Sequence, residues 1–87
     1  MNRLQINAVF FLEDYRTVFV GIFSEDITFT SKAICKVFID GDYFNEVEIE
    51  GEMSFTPNRD EARAISTLNK EIWEMKNSKA NYILELI

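Results

Sequence analysis

The stretch from Tyr43 to Phe55 constrains the fold of this chain more than any other, because polar and apolar residues alternate along most of it. The apolar positions are Val47, Ile49, Met53 and Phe55, and the alternate positions are the carboxylates Glu46, Glu48, Glu50 and Glu52. A period of two predicts a β-strand with one face on a core and the other in water. Alternate residues on a strand lie about 7 Å apart, so the four glutamates are expected to form one row on the outer face. Gly51 indicates a bulge or bend within this strand.

The net charge of the chain originates in the same region. Between Val37 and Asn58 there are six acids (Asp40, Asp42 and the four glutamates) and no Lys or Arg, and the net charge of the whole chain is −6. The sequence pI of about 4.5 disfavours direct binding of nucleic acid or of an anionic membrane surface, since both need a basic patch. It favours a basic protein partner.

The 87 residues are expected to form a single compact domain, 1–87. The only cysteine, Cys35, lies in the alternating run Ala33 to Ile39, which predicts a buried thiol in a reducing compartment. The apolar run at positions 8–12 ends at Glu13 and Asp14, and it is too short for a signal peptide or a membrane span. Cytoplasmic localisation is therefore expected.

Two hairpins are predicted in the first part of the chain. Residues Arg3 to Leu12 and Thr17 to Phe23 are rich in β-branched and aromatic side chains, which favours two paired strands. A third strand is predicted from Thr28 to Asp40, with a short helix starting at Ser31 as the alternative. The sequence Asp40-Gly41-Asp42 indicates a tight turn into the glutamate strand, because Asp and Gly tolerate the positive φ that such turns need.

A helix is predicted after the glutamate strand. Thr56-Pro57-Asn58 suits a helix start, and Asn58 with Glu61 matches a capping box. Four apolar residues then recur at helical spacing up to an expected end near Asn77 and Ser78: Ile65, Leu68, Ile72 and Met75. Tyr82 to Ile87 is apolar and predicts a final short strand, with a continued helix as the competitor. The predicted fold class is therefore α+β: a mostly antiparallel sheet of four to five strands with one C-terminal helix packed on one face.

The first two strands are apolar on both faces, whereas one helix covers only one face of a sheet. The second face would expose a cluster drawn from Val9, Phe11, Phe19, Phe23, Ile34 and Phe38, and large exposed apolar patches are rare in monomers. Either the sheet curls into a partial barrel, or a second subunit or another partner covers the cluster. Among these alternatives a homodimer is expected.

The residue types do not favour catalysis. The chain has no His, one Cys and three Gly, so the commonest general base, a thiolate zinc site and a glycine-rich phosphate loop are all missing. Asp40, Asp42 and Glu46 could surround a calcium ion, but they lack the patterned set of oxygens that a calcium loop needs. A plain turn is the simpler interpretation. No enzyme activity, metal or cofactor is expected.

Eight residues are candidates for binding a partner: Glu46, Glu48, Glu50, Glu52, Asp40, Asp42, Phe44 and Trp73. The glutamate row is either a solvated strand face that blocks aggregation or a linear anionic surface that imitates a nucleic-acid backbone. Phe44 is expected beside this row. Trp73 is expected at the edge of the helix stripe, where it closes the core or anchors a partner.

The leading hypothesis is a small acidic, non-catalytic inhibitor that blocks a basic, nucleic-acid-binding protein such as a nuclease. Phage and mobile-element proteins that counteract CRISPR or restriction systems are of this type; the analogy concerns the type of protein and no motif. The alternative is an oligomeric assembly module, or an immunity protein or antitoxin, that uses its apolar sheet face.

Overall fold

The computed structural model describes residues 2–23, 29, 32–53, 62–76 and 80–87. Within these ranges the chain forms six strands and one short helix. In chain order they are β1 (Asn2–Phe11), β2 (Arg16–Ile22), β3 (Ala33–Ile39), β4 (Asp42–Met53), β5 (Ala62–Leu68), α1 (Lys70–Trp73) and β6 (Tyr82–Leu86).

The strands close into an antiparallel barrel in the order β1-β2-β5-β4-β3-β6, with β6 paired back to β1. The predicted α+β class is therefore wrong, because no helix in the described residues packs on a sheet face. Of the alternatives for covering the second apolar face, the curling of the sheet is confirmed. Val9, Phe11, Phe19 and Phe23 pack in the barrel core or against it. Closure also leaves each strand with two neighbours, which removes the exposed sheet edges that promote aggregation.

The long helix predicted before Asn77 is wrong as well. Residues 62–68 form β5, whose Ile65 and Thr67 point into the core and are fully buried, while Leu68 is 53% exposed. The apparent helical spacing of the apolar residues arose because Ile65 and Ile72 belong to two different elements. Pairing with β2 and β4 on both sides supplies the burial that overrides the weak strand preference of Ala and Arg in β5.

The helix that does form is a single turn. Its N-cap is Asn69, whose side chain accepts a hydrogen bond from the Ile72 backbone N–H at 3.1 Å. Ile72 is fully buried and belongs to the core cluster, so α1 closes one end of the barrel. The predicted capping box at Asn58 and Glu61 lies outside the described residues.

A bulge in β1 moves its inward positions from even-numbered to odd-numbered residues. The register with β2 shifts between Ile6 and Ala8, which exchanges the inward and outward positions. Val9 and Phe11 consequently pack against the core, whereas Phe10 is 52% exposed.

The bulge predicted at Gly51 is confirmed. The register between β4 and β5 shifts between Ile49 and Gly51, and Gly51 has a φ of 142°, a conformation that L-residues rarely adopt. Beyond this bulge Glu52 is the register partner of Ile65, a core residue. Glu52 therefore does not continue the outward row that Glu46, Glu48 and Glu50 begin.

Several further sequence predictions are confirmed. Asp40 and Gly41 have φ values of 52° and 91° and form the turn between β3 and β4. Tyr82–Leu86 is a strand, and Cys35 is a fully buried free thiol. Within the described ranges, no helix has both the length and the apolar character needed to cross a membrane.

Candidate functional site

The four glutamates of β4 are all exposed, but the structure divides them into two classes. Glu50 and Glu52 are each bound by an arginine from a neighbouring strand. Glu46 and Glu48 make no ion pair with any described residue. The uniform row predicted from the sequence is thus a mixture of neutralised and free charges.

Glu50 is held by Arg16 at the start of β2. The Arg16 Nε and Nη2 atoms donate to the two carboxylate oxygens at 2.9 and 3.1 Å, and the Ser66 hydroxyl donates to Oε1 at 2.9 Å. Such bidentate pairs are the strongest form of surface salt bridge. The hydrogen bond from Arg16 is the main cause that lowers the pKa of the Glu50 carboxyl below its ordinary value.

Glu52 is held by Arg63 at the start of β5. Arg63 Nε and Nη2 donate to its oxygens at 2.8 and 2.7 Å, and this bonding lowers the pKa of Glu52. The guanidinium also lies over the rings of Phe29 and Phe23, at 5.4 and 6.0 Å from their centroids. Because both rings belong to the core, this ion pair covers one end of the barrel.

Three exposed acids of the β3–β4 hairpin make no ion pair with a described residue. Glu46 and Glu48 lie on its outer side, and Asp42 lies at its turn end, where its register partner Ile39 packs against the core. In the β3–β4 ladder, Glu46 lies opposite Lys36 and Glu48 lies opposite Ile34. Lys36 and Glu46 are nevertheless not within ion-pair distance of each other, and neither forms an ion pair with another described residue. Asp42, at the start of β4, is exposed too. These three acids, Asp42, Glu46 and Glu48, are called the acidic hairpin face below.

An aromatic side chain adjoins the acidic hairpin face. Tyr43 is 56% exposed, and its ring packs edge-on against Phe38 at a centroid distance of 5.8 Å. Arg3 lies over the other ring of this pair, 5.4 Å from the Phe38 centroid. The Tyr43 ring is thus fixed by packing and still available to a partner. The sequence predicted Phe44 beside the glutamate row, but Phe44 packs against the core, because the register between β3 and β4 shifts after Val37.

Trp73 lies away from the acidic hairpin face, at the end of α1. Its indole N–H donates to the Leu12 carbonyl, its ring packs edge-on against Tyr15 at 5.1 Å, and the Lys76 ammonium lies 3.8 Å from its centroid. These contacts tie α1 to the β1–β2 turn. A role of Trp73 as a partner anchor stays a prediction.

Asp40 faces a different feature, a cleft of about 590 Å³ in the barrel wall. The cleft lies where the ladder between β1 and β6 stops: the last pair is Gln5 with Ile83, although β1 continues to Phe11. Its apolar lining comprises Ile6, Ala8, Val9, Phe11, Ala80 and the Tyr82 ring, and its polar lining Asn7, Asp40, Lys76 and Asn81. No sequence signal predicted it, because it results from a bulge and from the length of one ladder.

Two groups in the cleft have defined electrostatics. Asp40 Oδ1 accepts a hydrogen bond from the Asn81 N–H at 3.0 Å. The Tyr82 hydroxyl is buried and has no hydrogen-bond partner within the described part of the chain. Burial, followed by the charge of Asp40, raises the pKa of Tyr82. Elsewhere, burial raises the pKa of Cys35 to about 11, which keeps that thiol protonated and unreactive at neutral pH. In the part of the chain that the structure describes, no three His, Cys, Asp or Glu residues are grouped to hold a metal ion.

The fold and these surfaces define a small six-stranded antiparallel β-barrel with an acidic outer hairpin and a cleft in its wall. Comparisons with protein-family models, with curated proteins and with solved structures found no significant match.

Proposed function

We propose that this protein is a non-catalytic binding protein that blocks the basic, nucleic-acid-binding surface of a partner protein. The acidic hairpin face carries this proposal. Asp42, Glu46 and Glu48 are exposed on one hairpin and make no ion pair with a described residue, whereas Glu50 and Glu52 on the same strand are neutralised by arginines. Small acidic inhibitors of nucleases, of the kind that phages and mobile elements make, act through such a surface.

The electrostatics support a basic partner. Glu46 and Glu48 lie on the same side of one strand, about 7 Å apart, and a cationic groove lowers the repulsion between the two carboxylates. The chain carries a net charge of −6, which also accelerates encounter with a cationic surface at low salt. Tyr43 adds an aromatic contact of the kind that is enriched at the centres of interfaces.

The test compares two variants that lose the same charge. In the first, Glu46→Gln and Glu48→Gln remove the free carboxylates of the acidic hairpin face. In the control, Glu13→Gln and Glu74→Gln remove two exposed carboxylates outside that hairpin. Each protein is used to capture partners from a cell lysate, and the captured protein is then assayed for binding to a labelled DNA duplex.

We expect the wild type and the control to retain a nucleic-acid-binding protein, to inhibit its binding to the duplex, and to release it as salt rises. The Glu46/Glu48 variant is expected neither to retain a nucleic-acid-binding protein nor to inhibit its binding to the duplex. Equal capture by all three proteins, or equal loss by both variants, would show that the acidic hairpin face is not the binding surface.

A second candidate function, an assembly module, rests on the outer face of β1, β2 and β5. Four large apolar residues are exposed around the margin of this face, with Leu12 just beyond the end of β1: Phe10 (52%), Leu12 (42%), Ile22 (58%) and Leu68 (53%). Between them Val18, Val20 and Ala64 form a second buried cluster. A homodimer formed through this face would be insensitive to salt and would be disrupted by Phe10→Glu. Sedimentation at micromolar concentration tests the assembly function. A protein that is monomeric at both low and high salt contradicts it.

A further inference from the structure

Closure of the barrel leaves one open strand edge, along the second half of β1. The β1–β6 ladder pairs Asn2 through Gln5 with Leu86 through Ile83, although β1 continues to Phe11. Beyond Gln5, β1 pairs with β2 alone among the described strands. On its other side, this half of β1 borders the cleft of about 590 Å³ instead of a neighbouring strand.

The hydrogen-bonding pattern shows which main-chain groups of β1 face the cleft. The Leu12 N–H donates to the Arg16 carbonyl at 2.8 Å, and the register of Phe11, Phe10 and Val9 with β2 follows on from this pair without a shift. In an antiparallel ladder, residues alternate between bonding to the neighbouring strand and pointing away from it. Phe10 therefore bonds to β2, whereas the N–H and carbonyl groups of Val9 and Phe11 point to the cleft.

The lining of the cleft agrees with an open strand edge. Ala8 and Val9 are successive residues beyond the bulge, and both line the cleft. Successive side chains of a strand point to opposite faces, so the main chain itself borders the space. No described residue supplies a hydrogen-bond partner to the cleft-facing main-chain groups of Val9 and Phe11. Main-chain groups that are half-buried need such a partner.

The rest of the lining selects neither sign of charge. It comprises Ala80, Asn81 and Tyr82, together with Asp40 and Lys76, so it holds one carboxylate and one ammonium. Asp40 and Asn81 bond to each other: the Asp40 N–H donates to the Asn81 carbonyl at 2.9 Å, and the Asn81 N–H donates to Asp40 Oδ1 at 3.0 Å. Recognition in this cleft therefore depends mainly on the unpaired main chain of β1.

An extended peptide segment matches these features. Its alternate residues lie about 7 Å apart, as Val9 and Phe11 do, so two residues of an antiparallel segment can form four hydrogen bonds with this edge. Val9 and Phe11 pack against the core, and the side chains of the two bonded peptide residues would lie on the same inner face. The edge of another copy of the barrel fits the cleft less well, because its β1 is flanked by its own β2.

We propose that the open edge of β1 binds an extended, uncharged peptide segment of a partner protein as an additional antiparallel strand. Strand addition is a recurring mode of peptide recognition, in which main-chain hydrogen bonds supply the affinity. The site is separate from the acidic hairpin face, and this proposal does not depend on the function proposed above.

The first measurement is amide hydrogen exchange of the free protein by NMR, at low and high protein concentration. The Val9 and Phe11 N–H groups are expected to exchange at least about tenfold faster than the Phe10 N–H, which is bonded to β2. Equally slow exchange at all three residues, or protection of Val9 and Phe11 that rises with protein concentration, would overturn the proposal. The chain itself or a second copy would then cover the edge.

The second measurement is an NMR titration with a capped, uncharged peptide, acetyl-Ser-Val-Thr-Val-Ser-amide. Binding is expected to saturate, to shift the Val9 and Phe11 amides and to slow their exchange. Methylation of the second valine nitrogen removes a donor that faces β1, and it is expected to weaken binding roughly three- to tenfold, the range of one hydrogen bond. Methylation of the threonine nitrogen, which points away from β1, is expected to leave the affinity unchanged. Equal effects of the two methyl groups would contradict strand addition.

Two proline variants locate the edge on the protein. Val9→Pro removes an N–H that faces the cleft, and proline is tolerated at strand positions whose N–H is outside the ladder. This variant is expected to fold and to lose peptide binding. Phe10→Pro removes an N–H that is bonded to β2 and is expected to lower the melting temperature further than Val9→Pro does.

The proposal is overturned if Val9→Pro binds the peptide as tightly as the wild type, or if the wild type does not bind the peptide saturably. The two methylated peptides test the same hydrogen bonds on the wild-type protein, so the outcome does not depend on the folding of Val9→Pro.

Discussion

Two threonines that face each other inside the barrel provide a sharp test of how buried hydroxyls affect stability. Thr17 on β2 is the register partner of Thr67 on β5, and both side chains are fully buried. The Thr67 hydroxyl donates to the Glu48 carbonyl at 2.7 Å, whereas the Thr17 hydroxyl has no hydrogen-bond partner among the residues that the structure describes. The same substitution, Thr to Val, is therefore expected to have opposite effects at the two positions.

The magnitudes follow from the cost of burying a polar group. An unsatisfied buried hydroxyl costs about 1–3 kcal/mol, and valine has almost the same shape as threonine without this cost. Thr17→Val is expected to raise the free energy of unfolding by about 1–2 kcal/mol. Thr67→Val removes a hydrogen bond and leaves the Glu48 carbonyl with one partner fewer, so it is expected to lower the free energy of unfolding by about 1–2 kcal/mol.

Urea unfolding followed by Trp73 fluorescence measures both effects, and thermal unfolding checks them. A change of 1 kcal/mol moves the melting temperature of a domain of this size by about 4–8 °C. The two variants differ by about 2–4 kcal/mol, so they should melt at least about 8 °C apart. Unchanged m-values would show that the denatured state is not responsible. A loss of stability in Thr17→Val, or a shift of the same sign in both variants, would refute the hydrogen-bond assignment.

Three other predictions concern the core and the ion pairs. Gly21→Ala is expected to destabilise the barrel by about 2–3 kcal/mol in urea unfolding, because a Cβ there would lie 2.7 Å from the Phe23 ring; a neutral effect would contradict the packing. Cys35, with a pKa raised by burial to about 11, should not react with Ellman's reagent before unfolding. Because the pKa of Cys35 in the folded chain exceeds its ordinary value of 9.0, the stabilisation that depends on the protonated thiol is complete below pH 9, and about 3 kcal/mol of it is lost as the pH rises through 11. Cys35→Ala should lack this part of the alkaline loss of stability. Arg16 lowers the pKa of Glu50, so this ion pair stabilises the fold fully above the ordinary carboxyl pKa, and the stabilisation is lost as the pH falls through the lowered value. Glu50→Gln should therefore reduce the loss of stability in acid by less than about 1 kcal/mol. An unchanged midpoint of acid unfolding would contradict the pairing.

The strands were largely predictable because alternation and turn chemistry are local signals. The Asp40-Gly41 turn and the Gly51 bulge depend on conformations that few residue types adopt, and Tyr82–Leu86 was apolar enough to predict a strand. The helix prediction failed where local and tertiary signals disagreed. Ile65 and Ile72 have helical spacing, yet the ladders on both sides of β5 determine its structure.

The candidate surfaces were less predictable than the strands. The acidic residues were all visible in the sequence, but their counter-charges were not, since Arg16 lies 34 positions before Glu50 and Arg63 lies 11 positions after Glu52. Which glutamates remain free depends on strand order. Phe44 was assigned to the wrong face because one bulge exchanged inward and outward positions.

The sequence by itself determined the strand segments other than β5, the tight turn, the buried Cys35 and the excess of negative charge, because each of these depends on neighbouring residues or on composition. Only the tertiary structure decided that the sheet closes into a barrel, that Glu50 and Glu52 are neutralised, that the Thr17 hydroxyl is left without a partner, and that a cleft opens beside β1. These features depend on which strands pair and in what register. Pairing is a property of the whole chain, since it requires that every buried face and every backbone hydrogen bond be satisfied at once.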